Sequence, residues 1–228
     1  MHYMVPNNLR IFRRNFTPGE TRMDTTQFVS YVQTCLQMAD SKQSKLSQEI
    51  LDLSGCSGAK TRHLLNNLAA IPGVRYLDIG TSEGTSVCAA LYENKCEACV
   101  VDNNPTAKET RDTNFASFVK NEITLIDKDP FRVNVTKDIK KYNVYLYDGP
   151  DHSNLGHYRA IQHYYRAMDD VFVLLIDDWN WPDVRSSTQN ALKGMRVTKL
   201  FEREINTPSG DDADWWNGLY VAVLEKAK

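Results

Sequence analysis

Residues 76–86, with the sequence YLDIGTSEGTS, constrain the fold of this chain more than any other stretch. The letters YLDI form a short apolar run typical of a buried strand, and Gly80 and Gly84 bracket a tight turn. Ser82 or Thr85 is placed to cap the helix that follows. A strand, a glycine loop and a helix N-terminus together favour a nucleotide-type binding site beyond the carboxyl end of the strand. The alternative is an ordinary strand-to-helix connection in an α/β protein.

The chain beyond Gly73 alternates apolar runs with helical patterns, which is typical of a parallel sheet covered by helices. The predicted strands lie at residues 74–79, 98–102, 122–126, 142–147, 171–176, 197–204 and 219–224. The predicted helices between them lie at residues 85–93, 106–120, 135–140, 154–168 and 184–192. Residues 73–228 are therefore expected to form one α/β domain.

Residues 1–72 are predicted to be an extension of the same domain. Residues 1–22 show no periodicity and contain turn signals, so they predict an irregular arm. Helices are expected to begin at Asp24 and to cover residues 42–53 and 60–70. The arm would pack either on its own domain or on a partner subunit, and the second case would make the protein a homo-oligomer.

The composition is ordinary for a soluble globular protein, with a net charge of -2. This charge predicts no nucleic-acid partner, because nucleic-acid-binding domains usually carry a basic stripe. No apolar run reaches membrane-spanning length, so no membrane partner is expected, and the N-terminus lacks the apolar core of a secretory signal. The cysteines, including a CxxC at Cys96 and Cys99, are expected to be reduced thiols rather than a zinc site. The expected compartment is the cytoplasm.

Asp102 closes the second predicted strand. A carboxylate at this place in a doubly wound sheet is suited to bind ribose hydroxyls, because it accepts two hydrogen bonds at once. The alternative is helix capping by Asp102 or by the neighbouring Asn103 or Asn104. Asp129 follows the third strand and is a weaker candidate for an adenine contact, slightly favoured over Asp127.

Three aspartates follow the fourth and fifth predicted strands. Asp148 comes directly after NVYLY, and Asp177 and Asp178 come directly after VFVLLI. Since the carboxyl ends of neighbouring parallel strands meet at one sheet edge, we expect these carboxylates to converge beside the cofactor crevice. Crowded carboxylates repel one another unless a cation neutralises them, and three oxygen ligands suit Mg²⁺, Mn²⁺ or Ca²⁺. The alternative is a set of helix-capping aspartates with one carboxyl group protonated or solvated.

Asp151 and His152 lie in the loop GPDHS after the fourth strand and are candidate proton acceptors. A histidine with a pKa near neutral can act as general base beside a substrate hydroxyl. His152 would otherwise cap the next helix or contact a cofactor. The tryptophans in DDWNW and DWWNG would wall or cover a substrate pocket unless they pack in the core.

Together these motifs resemble the class I S-adenosylmethionine-dependent methyltransferases, most closely the group of catechol O-methyltransferase and the macrocin-type sugar O-methyltransferases. The segments LDIGTSEGTS, VDNNP, YDGPDHS and LIDDW carry the resemblance, which covers residues 74–178. It implies a Rossmann-like, mostly parallel sheet of seven strands with helices on both faces and an antiparallel last strand. Residues 73–228 would then be the methyltransferase domain.

The resemblance implies S-adenosylmethionine as the cofactor. Asp78 would meet its amino group directly or through water, and Asp102 would bind its ribose hydroxyls. The whole implied cofactor-binding set is Asp78, Gly80, Thr81, Ser82, Gly84, Thr85, Ser86, Asp102, Asn103, Asp129 and Asp148.

The implied metal ligands are Asp148, Asp177 and Asp178, which would hold Mg²⁺ (or Mn²⁺ or Ca²⁺) against a substrate hydroxyl and lower its pKa. Asp151 or His152 would take the proton as the methyl group is transferred. Two positions depart from the catechol enzymes, which carry a lysine where this chain has Asp151 and an asparagine where it has Asp178.

The expected function is transfer of a methyl group to a hydroxyl of a small molecule, a sugar or glycan precursor, with a divalent cation assisting. One alternative is a metal-independent methyltransferase with His152 as base. Two others are a nicotinamide-dependent oxidoreductase, whose fingerprint GxGxxG differs from the loop GTSEG, and a non-catalytic nucleotide-binding module.

Overall fold

The computed structural model describes residues 23–149 and 153–227 of the 228-residue chain. The arm predicted over residues 1–22 lies outside the described residues. The described part forms an α/β structure in which helices cover both faces of one sheet.

The sheet has seven strands. They are β1 (Arg75–Ile79), β2 (Glu97–Val101), β3 (Ile123–Ile126), β4 (Tyr142–Tyr147), β5 (Met168–Asp177), β6 (Val197–Ile205) and β7 (Leu219–Lys226). Their spatial order is β3-β2-β1-β4-β5-β7-β6. The first five strands pair in parallel, and β7 runs antiparallel to both of its neighbours. The predicted Rossmann-like, mostly parallel sheet with an antiparallel last strand is therefore confirmed.

Helices connect the strands and precede the sheet. The described residues form α1 (Thr25–Asp40), α2 (Gln48–Leu51), α3 (Ala59–Ala69), α4 (Thr85–Leu91), α5 (Lys108–Phe118), α6 (Val135–Asp138), α7 (Asn154–Tyr164) and α8 (Pro182–Lys193). Short 3₁₀ turns cover Pro130–Arg132 and Tyr165–Ala167. Among the helices of residues 23–149 and 153–227, none has the length and apolar character needed to cross a membrane.

The helix predicted over residues 42–53 is shortened to α2. Lys42 takes a positive φ of 54° directly after α1, which interrupts helical geometry. The backbone N–H of Lys45 then donates to Asn66 Oδ1 on α3 at 3.1 Å. Contacts with α3 therefore satisfy backbone groups that a longer helix would have satisfied internally.

Two apolar cores lie on opposite faces of the sheet. Tyr76 and Val100 belong to the first core, which the sheet shares with α1, α3 and α4. Leu77 and Val101 belong to the second core, which the sheet shares with α7 and α8. Because both faces are covered, the strands are near-continuous apolar runs, as expected for parallel sheets.

The CxxC cysteines are buried in different places. Cys96 belongs to the first core and Cys99 to the second, so the sheet separates their side chains and the pair does not form a metal site. All five cysteines are free thiols, in agreement with the sequence-based expectation.

Strand register aligns the candidate residues at one edge of the sheet. Ile79 pairs with Val101 on one side and with Tyr147 on the other, and Tyr147 pairs with Ile176. The residues that directly follow these four positions are Gly80, Asp102, Asp148 and Asp177. The chain order reverses between β1 and β4, which is where open α/β sheets form their binding crevices.

Candidate active site

The two glycines of the loop after β1 are required by the fold itself. Gly80 and Gly84 have φ values of 92° and 82°, in the region that side-chain-bearing residues rarely adopt. A Cβ on Gly80 would overlap the carbonyl oxygen of Asp148, and a Cβ on Gly84 would lie 2.5 Å from Phe115 Cε1. The glycine pattern is thus explained by packing against β4 and α5, whether or not a ligand also approaches the loop.

The polar residues of this loop form hydrogen bonds with Asp102 and with each other. Ser82 has a φ of 48° and donates its backbone N–H to Asp102 Oδ2 at 2.9 Å. Thr81 Oγ1 and Ser86 Oγ lie 3.1 Å apart. The predicted cap of α4 by Ser82 or Thr85 is wrong, because Gly84 is the N-cap residue and no side chain caps the helix.

Asp78 is buried under the loop. Tyr76 donates its hydroxyl to Asp78 Oδ2 at 2.6 Å, and Asp78 Oδ1 has no hydrogen-bond partner among the described residues. Burial raises the pKa of Asp78 from 3.8 to about 6, although the nearby hydroxyl groups of Tyr76 and Ser86 oppose the increase. A buried carboxylate oxygen that lacks a donor fits an incoming N–H group such as the ammonium of an amino acid.

Asp102 is anchored by three donors. Its Oδ1 accepts from the backbone N–H of Asn104 at 2.8 Å and from Arg111 Nη1 at 2.9 Å, while Oδ2 accepts from Ser82. Arg111 on α5 is completely buried. No sequence pattern predicts this ion pair, because a lone arginine in a helix is usually exposed. Each carboxylate oxygen has two lone pairs, so Oδ2 retains acceptor capacity for a hydroxyl group.

The remaining predicted cofactor residues lie at the same edge with different surroundings. Asn103 is exposed. Asp129 Oδ1 accepts from the backbone N–H of Phe131 at 2.9 Å, so Asp129 caps the following 3₁₀ turn. Asp127 pairs with Lys108 on the surface at 2.9 Å.

Asp148, Asp177 and Asp178 form a compact group, the aspartate trio. One ligand oxygen from each lies within 4.8 Å of the others. Asp177 is buried, and its pKa is raised well above the ordinary value by burial and by the charge of Asp178. Three carboxylates around one point are an oxygen donor set that fits a divalent cation, which would also relieve their repulsion.

Asp178 is held in an uncommon conformation. Its φ is 58°, and its Oδ1 accepts a hydrogen bond from Asn217 Nδ2 at 2.8 Å. Asn217 is buried and lies in the loop DWWNG before β7. The sequence motifs predict the tryptophans of this loop near a substrate pocket, but they give no signal for Asn217.

A loop of the N-terminal extension, residues 53–58, borders the same edge. Thr85 Oγ1 donates to the carbonyl oxygen of Ser54 at 2.7 Å and ties this loop to α4. Burial and the charges of Asp148, Glu83, Asp178 and Asp177 raise the pKa of the Cys56 thiol on this loop.

Arg62 holds this loop through hydrogen bonds to the backbone of the loop and of α2. The buried guanidinium donates to the backbone carbonyl oxygens of Ile50, Leu51, Leu53 and Ser57 at 2.8–3.1 Å. The loop carries no periodic pattern, so only the structure shows that Arg62 shapes it.

The tryptophans divide between core and surface. Trp179 is fully buried and stacks on Tyr220 with ring centroids 4.5 Å apart, so it does not wall a pocket. Trp215 is also buried. Trp181 is the N-cap residue of α8 and is 46% exposed. The candidate bases Asp151 and His152 lie outside the described residues.

No family model and no curated protein matches the sequence. Solved structures share the fold at low identity. A "putative methyltransferase complexed with SAH" is 13% identical over 75% of this chain and 50% of that chain, with a TM-score of 0.56. A "putative RNA methyltransferase" from Pyrococcus horikoshii is 13% identical over 91% of this chain and 100% of that chain, with a TM-score of 0.55. A "putative O-methyltransferase" from Klebsiella pneumoniae is 11% identical over 90% of this chain and 92% of that chain, with a TM-score of 0.51.

These likenesses show that the chain has the Rossmann-like fold of S-adenosylmethionine-dependent methyltransferases. The class I resemblance is confirmed at the level of the fold, whereas the catechol and macrocin group is matched only weakly, through the Klebsiella protein. The chain spans 48%, 50% and 52% of the length of three of the matched chains, which is about half of each.

The predicted partner, a small-molecule hydroxyl substrate with no nucleic acid, is wrong. Structures that share this fold include the Pyrococcus protein described as a "putative RNA methyltransferase", and the alignment spans the whole of that protein. The prediction rested on a net charge of -2, and a total charge does not report how basic side chains cluster on one surface.

Proposed function

We propose that this protein is an S-adenosylmethionine-dependent methyltransferase that methylates a hydroxyl oxygen with the help of a divalent cation. The observation that carries the proposal is the juxtaposition of Gly80 and Asp148. The glycine loop and the aspartate trio meet there, so a methyl donor at the loop and a hydroxyl held at the trio would be neighbours.

The donor would be held by residues at the ends of β1 and β2. Asp78 Oδ1, buried and without a donor, would accept from the cofactor's ammonium group. Asp102 Oδ2 would accept from a ribose hydroxyl while Arg111 and Ser82 keep the carboxylate in place. Asn103 and Asp129 would lie farther along the same edge, beside the adenine. The bound cofactor supplies an electrophilic methyl group on a sulfonium sulfur.

The aspartate trio would hold the cation, for which Mg²⁺, Mn²⁺ and Ca²⁺ are the candidates. A bound divalent cation lowers the pKa of a hydroxyl that it contacts and fixes its position. In this site a bound cation would favour the ionised form of Asp177, whose pKa is raised by burial and by the charge of Asp178. Asn217 would keep Asp178 oriented toward the cation.

The acceptor proton would pass to Asp151 or His152, which come four and five residues after the end of β4 in the chain. These two side chains are proposed from their position in the sequence.

A metal-independent methyltransferase with His152 as base is the second candidate. The raised pKa of Asp177 supports it, because one protonated carboxyl group would relieve the repulsion in the trio without a cation.

Calorimetric titration of the purified protein with S-adenosylhomocysteine, NAD and Mn²⁺ tests the proposal. We expect binding of S-adenosylhomocysteine and of Mn²⁺, and no binding of NAD. The variant Asp78→Asn should lose affinity for S-adenosylhomocysteine alone, and Asp177→Asn for Mn²⁺ alone. Binding of NAD in place of S-adenosylhomocysteine would refute the proposed function, and absence of Mn²⁺ binding would favour the metal-independent candidate.

A further inference from the structure

A groove of about 690 Å³ lies on the face of the sheet that carries the second core. Its floor and walls come from two segments, residues 131–136 after β3 and the exposed side of α7. The side chains that give it chemical character are Phe131, Arg132, Tyr158, Arg159, His163 and Arg166.

The groove is basic although the whole chain is slightly acidic. Arg132, Arg159 and Arg166 line it, and no Asp or Glu is among its described lining residues. Within the described part of the chain, no carboxylate forms an ion pair with Arg159 or Arg166. Asp129 approaches Arg132 only at 3.7 Å, and the Arg132 side chain is 85% exposed. Three guanidinium groups are thus available to an anionic ligand.

Aromatic side chains lie between the arginines of the groove. The guanidinium carbon of Arg159 lies 4.5 Å from the centroid of the Phe131 ring, and the His163 ring is edge-on to the same ring at 6.4 Å. Tyr158 is 39% exposed on the same side of α7. Alternating guanidinium and aromatic surfaces suit a strand that presents both phosphates and unstacked bases.

The groove leads toward the candidate active site. Asp129 caps the turn that begins the first lining segment, and α7 begins six residues after Asp148. Tyr158 and Gln162 lie four residues apart on one stripe of α7, and Arg166 lies in the 3₁₀ turn that follows the helix. Tyr158 is the lining residue nearest the N-terminus of α7, so a strand that leaves the groove past Tyr158 would approach the sheet edge that carries the trio.

We propose that this groove binds a single-stranded polynucleotide and that a nucleotide of that strand is the methyl acceptor. The second half of this statement rests on the proposed function, whereas the binding itself does not. The three arginines would contact phosphates, and Phe131 with Arg159 and Tyr158 would contact bases.

Fluorescence anisotropy with labelled 20-nucleotide oligouridine and oligothymidine tests the groove. The two oligonucleotides separate RNA from DNA as the source of the strand. If three phosphates are contacted, affinity should fall about 20-fold between 50 and 200 mM salt, since each contact contributes a slope of about -0.7 for single strands. Binding of neither oligonucleotide would overturn the proposal.

Charge-reversal variants test whether binding depends on the groove or only on the total charge of the protein. Arg159→Glu with Arg166→Glu should weaken binding at least tenfold. The control, Lys95→Glu with Lys120→Glu, makes the same charge change at exposed residues near α4 and α5 on the other face of the sheet, and should weaken binding less than threefold. Equal losses of affinity in the two double variants would overturn the proposal. It would also be overturned if polyglutamate competed as effectively as unlabelled oligonucleotide, because that result would indicate an acidic protein partner.

Two further measurements distinguish failure of the groove proposal from misfolding of a variant and from failure of the proposed function. The milder pair Arg159→Gln with Arg166→Gln should show an intermediate loss, which guards against misfolding of the reversed variant. Calorimetry with S-adenosylhomocysteine should give the same affinity for the groove variants and the unaltered protein. If the unaltered protein binds oligonucleotide at the groove but not S-adenosylhomocysteine, the proposed function fails and the groove assignment stands.

Discussion

The carbonyl oxygen of Asp148 occupies the space that a side chain on Gly80 would need. This contact joins the loop after β1 to the end of β4, and the backbone N–H of Asp148 donates to the carbonyl oxygen of Ile79 at 2.9 Å in the same place. The candidate cofactor loop and the first aspartate of the trio are therefore parts of one packed unit.

Gly80→Ala should destabilise the protein more than Gly73→Ala. Both glycines have positive φ, 92° and 76°, so both substitutions incur a strain of about 1–2 kcal/mol. A methyl group at Gly73 meets open space, whereas one at Gly80 overlaps Asp148, which adds about 1–3 kcal/mol for overpacking. Urea unfolding of the two variants measures the difference, and equal losses would show that the Gly80–Asp148 contact is looser than described.

The stability of the folded protein should fall as the pH rises from about 4 to about 6. Burial raises the pKa of Asp78 from 3.8 to about 6, so between these values the folded state keeps a proton that the unfolded state has lost. The full effect of this group is about 3 kcal/mol, at about 1.4 kcal/mol per pKa unit. Unfolding free energies measured from pH 4 to 7 should show a smaller decline for Asp78→Asn, and identical slopes in the two proteins would contradict the assignment.

The affinity for the cofactor should depend on the same proton of Asp78, but it should increase with pH where the stability decreases. Only the ionised carboxylate of Asp78 attracts an ammonium group, so affinity for S-adenosylhomocysteine should decrease as the pH drops below about 6. Tyr76→Phe removes a hydrogen bond that favours ionisation and should shift this decrease to higher pH. Calorimetry across the pH range provides the measurement. A Tyr76→Phe profile that overlays that of the unaltered protein would show that the tyrosine does not tune Asp78.

The buried pair of Arg111 and Asp102 should show strong coupling. Arg111→Met leaves a buried carboxylate without its cation and should cost about 3–5 kcal/mol, while the double variant with Asp102→Asn should cost less than the sum of the single changes. Lys108→Met breaks the exposed pair with Asp127 and should cost less than about 1 kcal/mol. A double-mutant cycle by chemical unfolding provides the measurement, and additive losses would argue against a direct pair.

A divalent cation should stabilise the folded protein through the aspartate trio. At a hundred times its Kd, Mn²⁺ should add about 2.7 kcal/mol, or about 5–10 °C in Tm for a chain of this size. Binding should favour loss of a proton from Asp177, because burial and the charge of Asp178 raise the pKa of this carboxyl group. Calorimetry in buffers of different ionisation enthalpy detects that proton. Asp177→Asn should abolish the thermal shift and Asp127→Asn should not, so a shift retained in Asp177→Asn would place the cation elsewhere.

The sequence predicted the fold and much of the site because both depend on local patterns. Apolar runs, turns and helix signals placed the strands within a few residues, and parallel strands must end at a common edge. That rule alone led to the expectation that Asp148, Asp177 and Asp178 would lie together, and their ligand oxygens do lie within 4.8 Å of one another.

The tertiary structure decided what each of these residues contacts. Arg111 and Asp102 pair across two elements, Trp179 is buried while Trp181 is exposed, and Arg62 shapes a loop without any periodic signal. These outcomes depend on side chains that meet only after distant segments have packed. The net charge of -2 gave no indication of the basic groove for the same reason, since electrostatic potential depends on where charges lie in space and not on their sum.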